Sequence, residues 1–220
     1  MTRNWKGILL LTTLAPAVTG CLQRETRHSL YLAPDGAVAW TAIEMDVRSD
    51  ETDPAKRRSE EQDYLAATAT SSHGIGRGLR ALGPTRLRTH VLRGERPFVV
   101  MSEAEFDRID RMFERLLTDL RIPGYATLSH DGTRTTLVVH VSLETDAEDV
   151  NPSAVTGLFE DADRYRIVLT GGRFVSARGF ELVDGGTAAL PLEITPEQVA
   201  ESGGVIEWAL TWESASAPRR

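Results

Sequence analysis

Cysteine is almost missing from this sequence of 220 residues: it occurs once, at Cys21. A single cysteine excludes an internal disulfide, a CxxC redox pair and a cysteine-rich zinc cluster. The five histidines, His28, His73, His90, His130 and His140, make no HxH, HxxxH or HExxH spacing, so there is no local metal signature. No GxSxG elbow occurs. The glycine-rich "GIGRG", Gly74 to Gly78, lacks the Lys-Ser/Thr that follows in a phosphate loop, and no apolar strand precedes it. A flexible loop is expected there. Carboxylate pairs such as Glu160/Asp161 lie in acidic, solvated sequence, with nothing to raise a pKa for acid catalysis. Positive charge is also in the minority, with 25 Lys and Arg against 32 Asp and Glu and a net charge of −7. Such a chain has no global attraction for nucleic acid or anionic lipid. No nucleic-acid partner, metal or cofactor is expected.

Long apolar runs are absent too, and the one short run is informative. Ile8 to Val18 is mostly apolar but broken by Thr12, Thr13 and Pro16, and it follows a positive start at Arg3 and Lys6. A bilayer needs about 20 apolar residues, so this run does not span one. The layout is that of a secretory signal peptide over residues 1–20. Its end, Val18-Thr19-Gly20-Cys21, resembles the lipobox of bacterial lipoproteins. The resemblance implies cleavage before Cys21, diacylglycerol on its thiol and acylation of the new amino group. Small Thr19 and Gly20 suit an extended approach to a protease. The competing reading, a buried helix ending in a structural cysteine, has the N-terminal position, the positive start and the lone cysteine against it. Several acyl chains anchor stably where one is marginal, so the membrane is the first expected partner, through the lipid on Cys21. Leu22 stands where inner-membrane lipoproteins of two-membrane bacteria typically carry aspartate. In such a host it points to the periplasmic face of the outer membrane.

Between Cys21 and the first strand signal only "LQRETR" intervenes, a tether over residues 21–27 reaching roughly 20 Å when extended. A single α+β domain over 28–213 is expected next, a largely antiparallel sheet of about eight to ten strands. Leu30 and Leu32 alternate before Asp35-Gly36, and Ile43, Met45 and Val47 alternate after it, the pattern of a β-hairpin. Asp53-Pro54 opens a helix, whose Lys56/Glu60 and Arg57/Glu61 pairs are placed on a solvated side. A strand pair turns at Gly94. Ser102 and Glu105 form a capping box for one long amphipathic helix over about 103–121, with Phe106, Ile109, Phe113, Leu116, Leu117 and Leu120 on its apolar face. Hairpins are expected at Asp131-Gly132 and Gly171-Gly172, a turn at Asp184-Gly185-Gly186, and a short helix at Thr195-Pro196. In the last strand Ile206, Trp208, Leu210 and Trp212 share a face, the two tryptophans being assigned to the core rather than to a ligand groove. Residues 214–220 are a disordered tail.

After the lipobox, the Asp35-Gly36 hairpin resembles envelope lipoproteins of the LppM type. These pair an N-terminal Asp-Gly hairpin with a mixed α/β body and are implicated in lipid binding. The membrane-spanning C-terminal helix common in that group has no counterpart here, and no site residue is carried over.

Charge is unevenly spread. Arg77, Arg80, Arg86, Arg88, Arg93 and Arg96 meet one acid, Glu95, whereas Glu144 to Asp163 hold acids and no Lys or Arg. A solvated basic strand facing a solvated acidic loop is the plainer expectation. The sharper one is an anion-binding strip for lipid phosphates or an acidic protein partner, since arginine forks suit phosphate. The leading expectation is a non-enzymatic, lipid-anchored envelope protein whose ligand is an envelope lipid or a partner protein. The alternative is a periplasmic enzyme with a dispersed site.

Overall fold

The computed structural model describes residues 22–142, 164–192 and 201–215. Cys21, the lipobox, the acidic stretch, the helix expected at Thr195-Pro196 and residues 216–220 lie outside the described residues; Ser214, expected in the disordered tail, is instead strand, paired with Gly172. What is described is α+β: eleven strands in two sheets, with three α-helices. β1 (Leu22–Leu32) and β2 (Val38–Ser49) form the expected hairpin about Asp35-Gly36. Here Gly36 has φ +95°, a conformation that favours glycine, and the Leu128 side chain packs against its Cα. α1 (Pro54–Ala69) starts at Asp53, whose carboxylate accepts from the Ala55 and Lys56 amides. α2 (Gly74–Ala81), β3 (Arg86–Arg93), β4 (Phe98–Phe106) and α3 (Ile109–Asp119) follow. β5 (Gly124–Asp131), β6 (Arg134–Ser142), β7 (Tyr165–Leu169), β8 (Gly172–Arg178), β9 (Phe180–Val183), β10 (Ala188–Pro191) and β11 (Val205–Ser214) complete the described elements.

The larger sheet has the order β3-β4-β2-β1-β7-β10-β9, and the smaller β5-β6-β11-β8. Among the described strands, only β1 and β7 pair in parallel. One core lies between the sheets. It joins Leu30, Leu32 and Trp40 of the first to Leu137, Val139, Leu210 and Trp212 of the second, with Ile109, Met112 and Leu117 of α3. A satellite cluster, Val47, Tyr64, Phe98 and Val100, sits under α1. No helix among the described residues is long and apolar enough to cross a membrane.

Several expectations are corrected. "LQRETR" is not a free tether: residues 22–27 are the first half of β1, paired with β2 from Leu22↔Ser49 onward. The capping box at Ser102/Glu105 is strand. Phe98, Val100, Ser102, Ala104 and Phe106 are buried in strict alternation, a period of two that overrides the local helix signal. The amphipathic helix therefore begins at Ile109 and is shorter than α1. "GIGRG" is not a loop but the start of α2. Ile75, Leu79 and Leu82 recur at i, i+4 and i+7 toward the core, and a Cβ on Gly76 would meet the Ser71 carbonyl at 2.6 Å. Gly171-Gly172 is not a hairpin, because β7 and β8 belong to different sheets. The chain crosses there through Gly172 at φ +142°, where a Cβ would collide with the Glu213 carbonyl. Glu61, expected on a solvated side, is buried and accepts from the Ser49 amide at 3.2 Å.

Candidate functional site

The six arginines of the expected strip do not form one surface. Arg86 and Arg88 project from the uncovered face of the larger sheet, as alternation requires. There they face Glu105 and Glu103 of β4, their partners in register. The Arg86 guanidinium lies 3.6 Å from the Glu105 carboxylate, and His90 lies 3.8 Å from Glu103. Arg77 and Arg80 sit on α2, which covers the other face; Arg80 donates to the Thr70 carbonyl at 2.9 Å. Arg93 and Arg96 lie on the β3–β4 turn, 3.9 Å from Asp46 and 3.0 Å from Glu61 respectively. The acids of β4 were invisible as partners because they are separated from the arginines by a turn and meet them only in register.

The other histidines lie apart. His130 Nδ1 is 3.0 Å from the Thr135 hydroxyl, and His140 stacks on Tyr125, centroids 4.9 Å apart. His73 is the buried one. Its Nε2 lies 3.1 Å from Glu44 Oε2 and 3.3 Å from Ser102 Oγ, and the Arg24 Nε is 3.1 Å from Glu44 Oε1. Ser, His and Glu thus meet, but serine and carboxylate share one ring nitrogen, whereas a nucleophile relay needs them on opposite nitrogens. All three are at most 4% exposed, so no substrate reaches them. The cluster ties β1, β2, β4 and the α1–α2 connection together. Burial first, and then the Glu44 carboxylate beside it, push the Tyr64 hydroxyl well above the usual tyrosine range.

The concave feature with the clearest chemistry is an apolar cavity of about 110 Å³ between the two sheets and α3. Its floor is Leu30, Trp40, Leu117, Val139 and Ile167, all buried. Its wall is partly buried Phe113, Leu116, Tyr165, Phe180 and Trp208, and Leu192 at the rim is 48% exposed. Exposure rises from floor to rim, so the cavity opens at one side. The aromatic wall is pinned from behind. Trp40 Nε1–H donates to His28 Nδ1 at 3.1 Å, and the His28 ring stacks on Tyr165 with centroids 4.4 Å apart. The polar edge of Trp40 is thereby satisfied on its own protein, leaving its ring to line the cavity. Trp212 is fully buried core as expected, with its indole N–H donating to the Pro34 carbonyl at 3.0 Å. Trp208, expected to share that role, lines the cavity wall instead.

A second, polar cleft of about 340 Å³ lies where α3 begins, by Thr85 and Phe106. Its arginines have protein acceptors already: Arg108 on Asp110, Arg111 on Glu114, and Arg115 on the Leu82 and Gly83 carbonyls. The apolar cavity is therefore the candidate site. Sequence reasoning missed it because its lining comes from eight elements and the segment beyond β10, each side chain indistinguishable from core in its own segment.

No known protein family matches this chain, and no curated protein matches it in sequence. Among solved structures, it is similar to the folded domain of the Mycobacterium tuberculosis LppM protein, determined by NMR. The match covers 91% of this chain and 94% of that one, at 10% identity and a TM-score of 0.37. Likeness at that level carries neither residues nor a ligand across.

Proposed function

We propose that this chain is a lipid-anchored envelope lipoprotein that holds the acyl part of an envelope lipid in the cavity between its sheets. The cavity carries the reading. A dry pocket of ~150 Å³ lined by Leu, Ile and Phe binds small apolar molecules such as benzene. The volume here, about 110 Å³, admits a short stretch of hydrocarbon rather than a whole chain. The remainder of the ligand therefore leaves through the rim at Leu192. A ligand with a polar head and a narrow apolar end fits that gradient, and a flat protein surface does not. The lipobox supports the anchor, and Leu22 after Cys21 supports the outer membrane as its address.

The test is a titration of the purified chain with cis-parinaric acid, read as energy transfer from tryptophan. Saturable transfer that Trp208→Ala and Phe113→Asp both weaken at least tenfold is expected. Transfer that does not saturate, or that neither substitution alters, overturns the cavity as the site.

A further inference from the structure

β1 starts at Leu22, opposite Ser49, at one end of the larger sheet. The β3–β4 turn stands at the same end: Val47 pairs with Phe98, Arg93 pairs with Val99, and an Arg96 Nη–H donates to the Ser49 carbonyl at 3.3 Å. Just before that turn, Val91 is 43% exposed and Leu92 55%, the latter the most exposed large apolar side chain among the described residues. The β3–β4 ladder shifts register between Val91 and Arg93, so Leu92 is released from regular pairing at the bulge. Arg93, exposed, follows them at the end of β3.

We infer that the β3–β4 turn is a second membrane contact, with Val91 and Leu92 resting at the headgroup–acyl boundary of the bilayer that holds the lipid on Cys21. The inference rests on the lipid-anchor reading. Because residues 22–27 are strand rather than tether, the lipidated residue is one peptide unit from the sheet. The sheet end is thus brought to the bilayer with it. Strands lie about 4.8 Å apart, so the three steps from β1 to β3 separate the two contacts by roughly 14 Å. Two contacts at that spacing hold the domain in one orientation, where a single lipid anchor would let it swivel. The contact is apolar in its drive. Arg93 and Arg96 of the turn already neighbour Asp46 and Glu61, so they add no strong net charge to the contact. The long anchor supplies the affinity, and the second contact needs only to form locally.

The lone cysteine makes the test clean. With its thiol acylated, Leu92→Cys in the full lipidated chain offers a single free thiol for the environment-sensitive fluorophore NBD. The labelled protein is reconstituted in vesicles of phosphatidylethanolamine and phosphatidylglycerol, with Asp35→Cys, at the opposite end of the sheet, labelled in parallel. Blue-shifted emission at position 92, quenched by a lipid with a nitroxide high on its acyl chain, is expected, with emission at position 35 as in water. Water-like emission at both positions from a protein that still sediments with the vesicles overturns this inference and leaves the anchor intact. A chain whose Cys21 carries no lipid when purified from its host overturns the anchor, and this inference with it.

Discussion

Enlarging Val139 should do little harm, although a core valine is normally a poor place to add volume. Val139 is 3% exposed on β6 and lines the cavity floor; Val141, two residues on, is fully buried on the same face and does not line it. At ~24 cal/mol per Å³, a void of about 110 Å³ withholds roughly 2–3 kcal/mol of packing. Val139→Phe places its added ring into that void and recovers part of the sum, about 1 kcal/mol after side-chain ordering. Val141→Phe has no void to enter and should lose about 1–3 kcal/mol through overpacking. At roughly 2–4 °C per kcal/mol for a domain of this size, the two variants should differ in Tm by about 5–15 °C, readable by calorimetry or urea midpoints. Val139→Phe should also abolish parinaric acid binding, since it occupies the same space. Equal destabilisation by the two substitutions would refute the reasoning: the space beside Val139 would then be no more available than any other part of the core.

Three further outcomes follow from the buried groups and the first turn. Arg24→Met should cost more than Glu44→Gln, about 3 kcal/mol against about 1 in urea denaturation near neutral pH, because the first takes the arginine from a buried carboxylate and leaves it His73 alone, whereas the second leaves an arginine whose side chain is one-third exposed; equal costs would contradict the burial argument. Tyr64, held above the usual range by burial and Glu44, should stay protonated past the ordinary tyrosine range. Since its folded pKa is raised, the protonated hydroxyl favours the fold below the ordinary tyrosine value of 10.0, and that contribution is lost as pH rises beyond it. An ultraviolet titration should show a late component coincident with unfolding, and Tyr64→Phe should remove it. Gly36→Ala, which forces φ +95° on a side chain and meets Leu128, should lower stability by about 1–3 kcal/mol.

The parts of this fold that were legible in the sequence are those fixed by local chemistry. Asp35-Gly36, Asp53-Pro54 and Asp131-Gly132 each carry the residues that their turn or cap demands, and each stands where expected. The failures are places where distant partners decide. Ser102-Glu-x-Glu105 is a fair helix start in isolation, but Ser102 is buried against His73 and Thr89, contacts no local pattern announces. Gly171-Gly172 is a good hairpin turn, yet β7 is captured by β1, more than 130 residues earlier in the chain. Glu44 looks like an ordinary strand charge and Arg24 like part of a tether until β1 pairs with β2 and the α1–α2 connection brings His73 onto Glu44. The cavity was out of reach for the same reason: Trp40, Phe113, Tyr165 and Trp208 converge only after both sheets are assembled. Even so, Trp208 was singled out by its spacing from Trp212, and the structure divides the pair between wall and core.

The most direct test uses the lipidated protein in membranes containing a phospholipid with a photoactivatable diazirine at the end of its acyl chain. Crosslinked peptides are then identified by mass spectrometry. An acyl chain held between the sheets should mark Phe113 and Leu116 on α3, and Trp208 on β11, which lie on different elements and share only the cavity. Adducts confined to exposed side chains such as Leu92 and Tyr125, with none on α3 or β11, would contradict it.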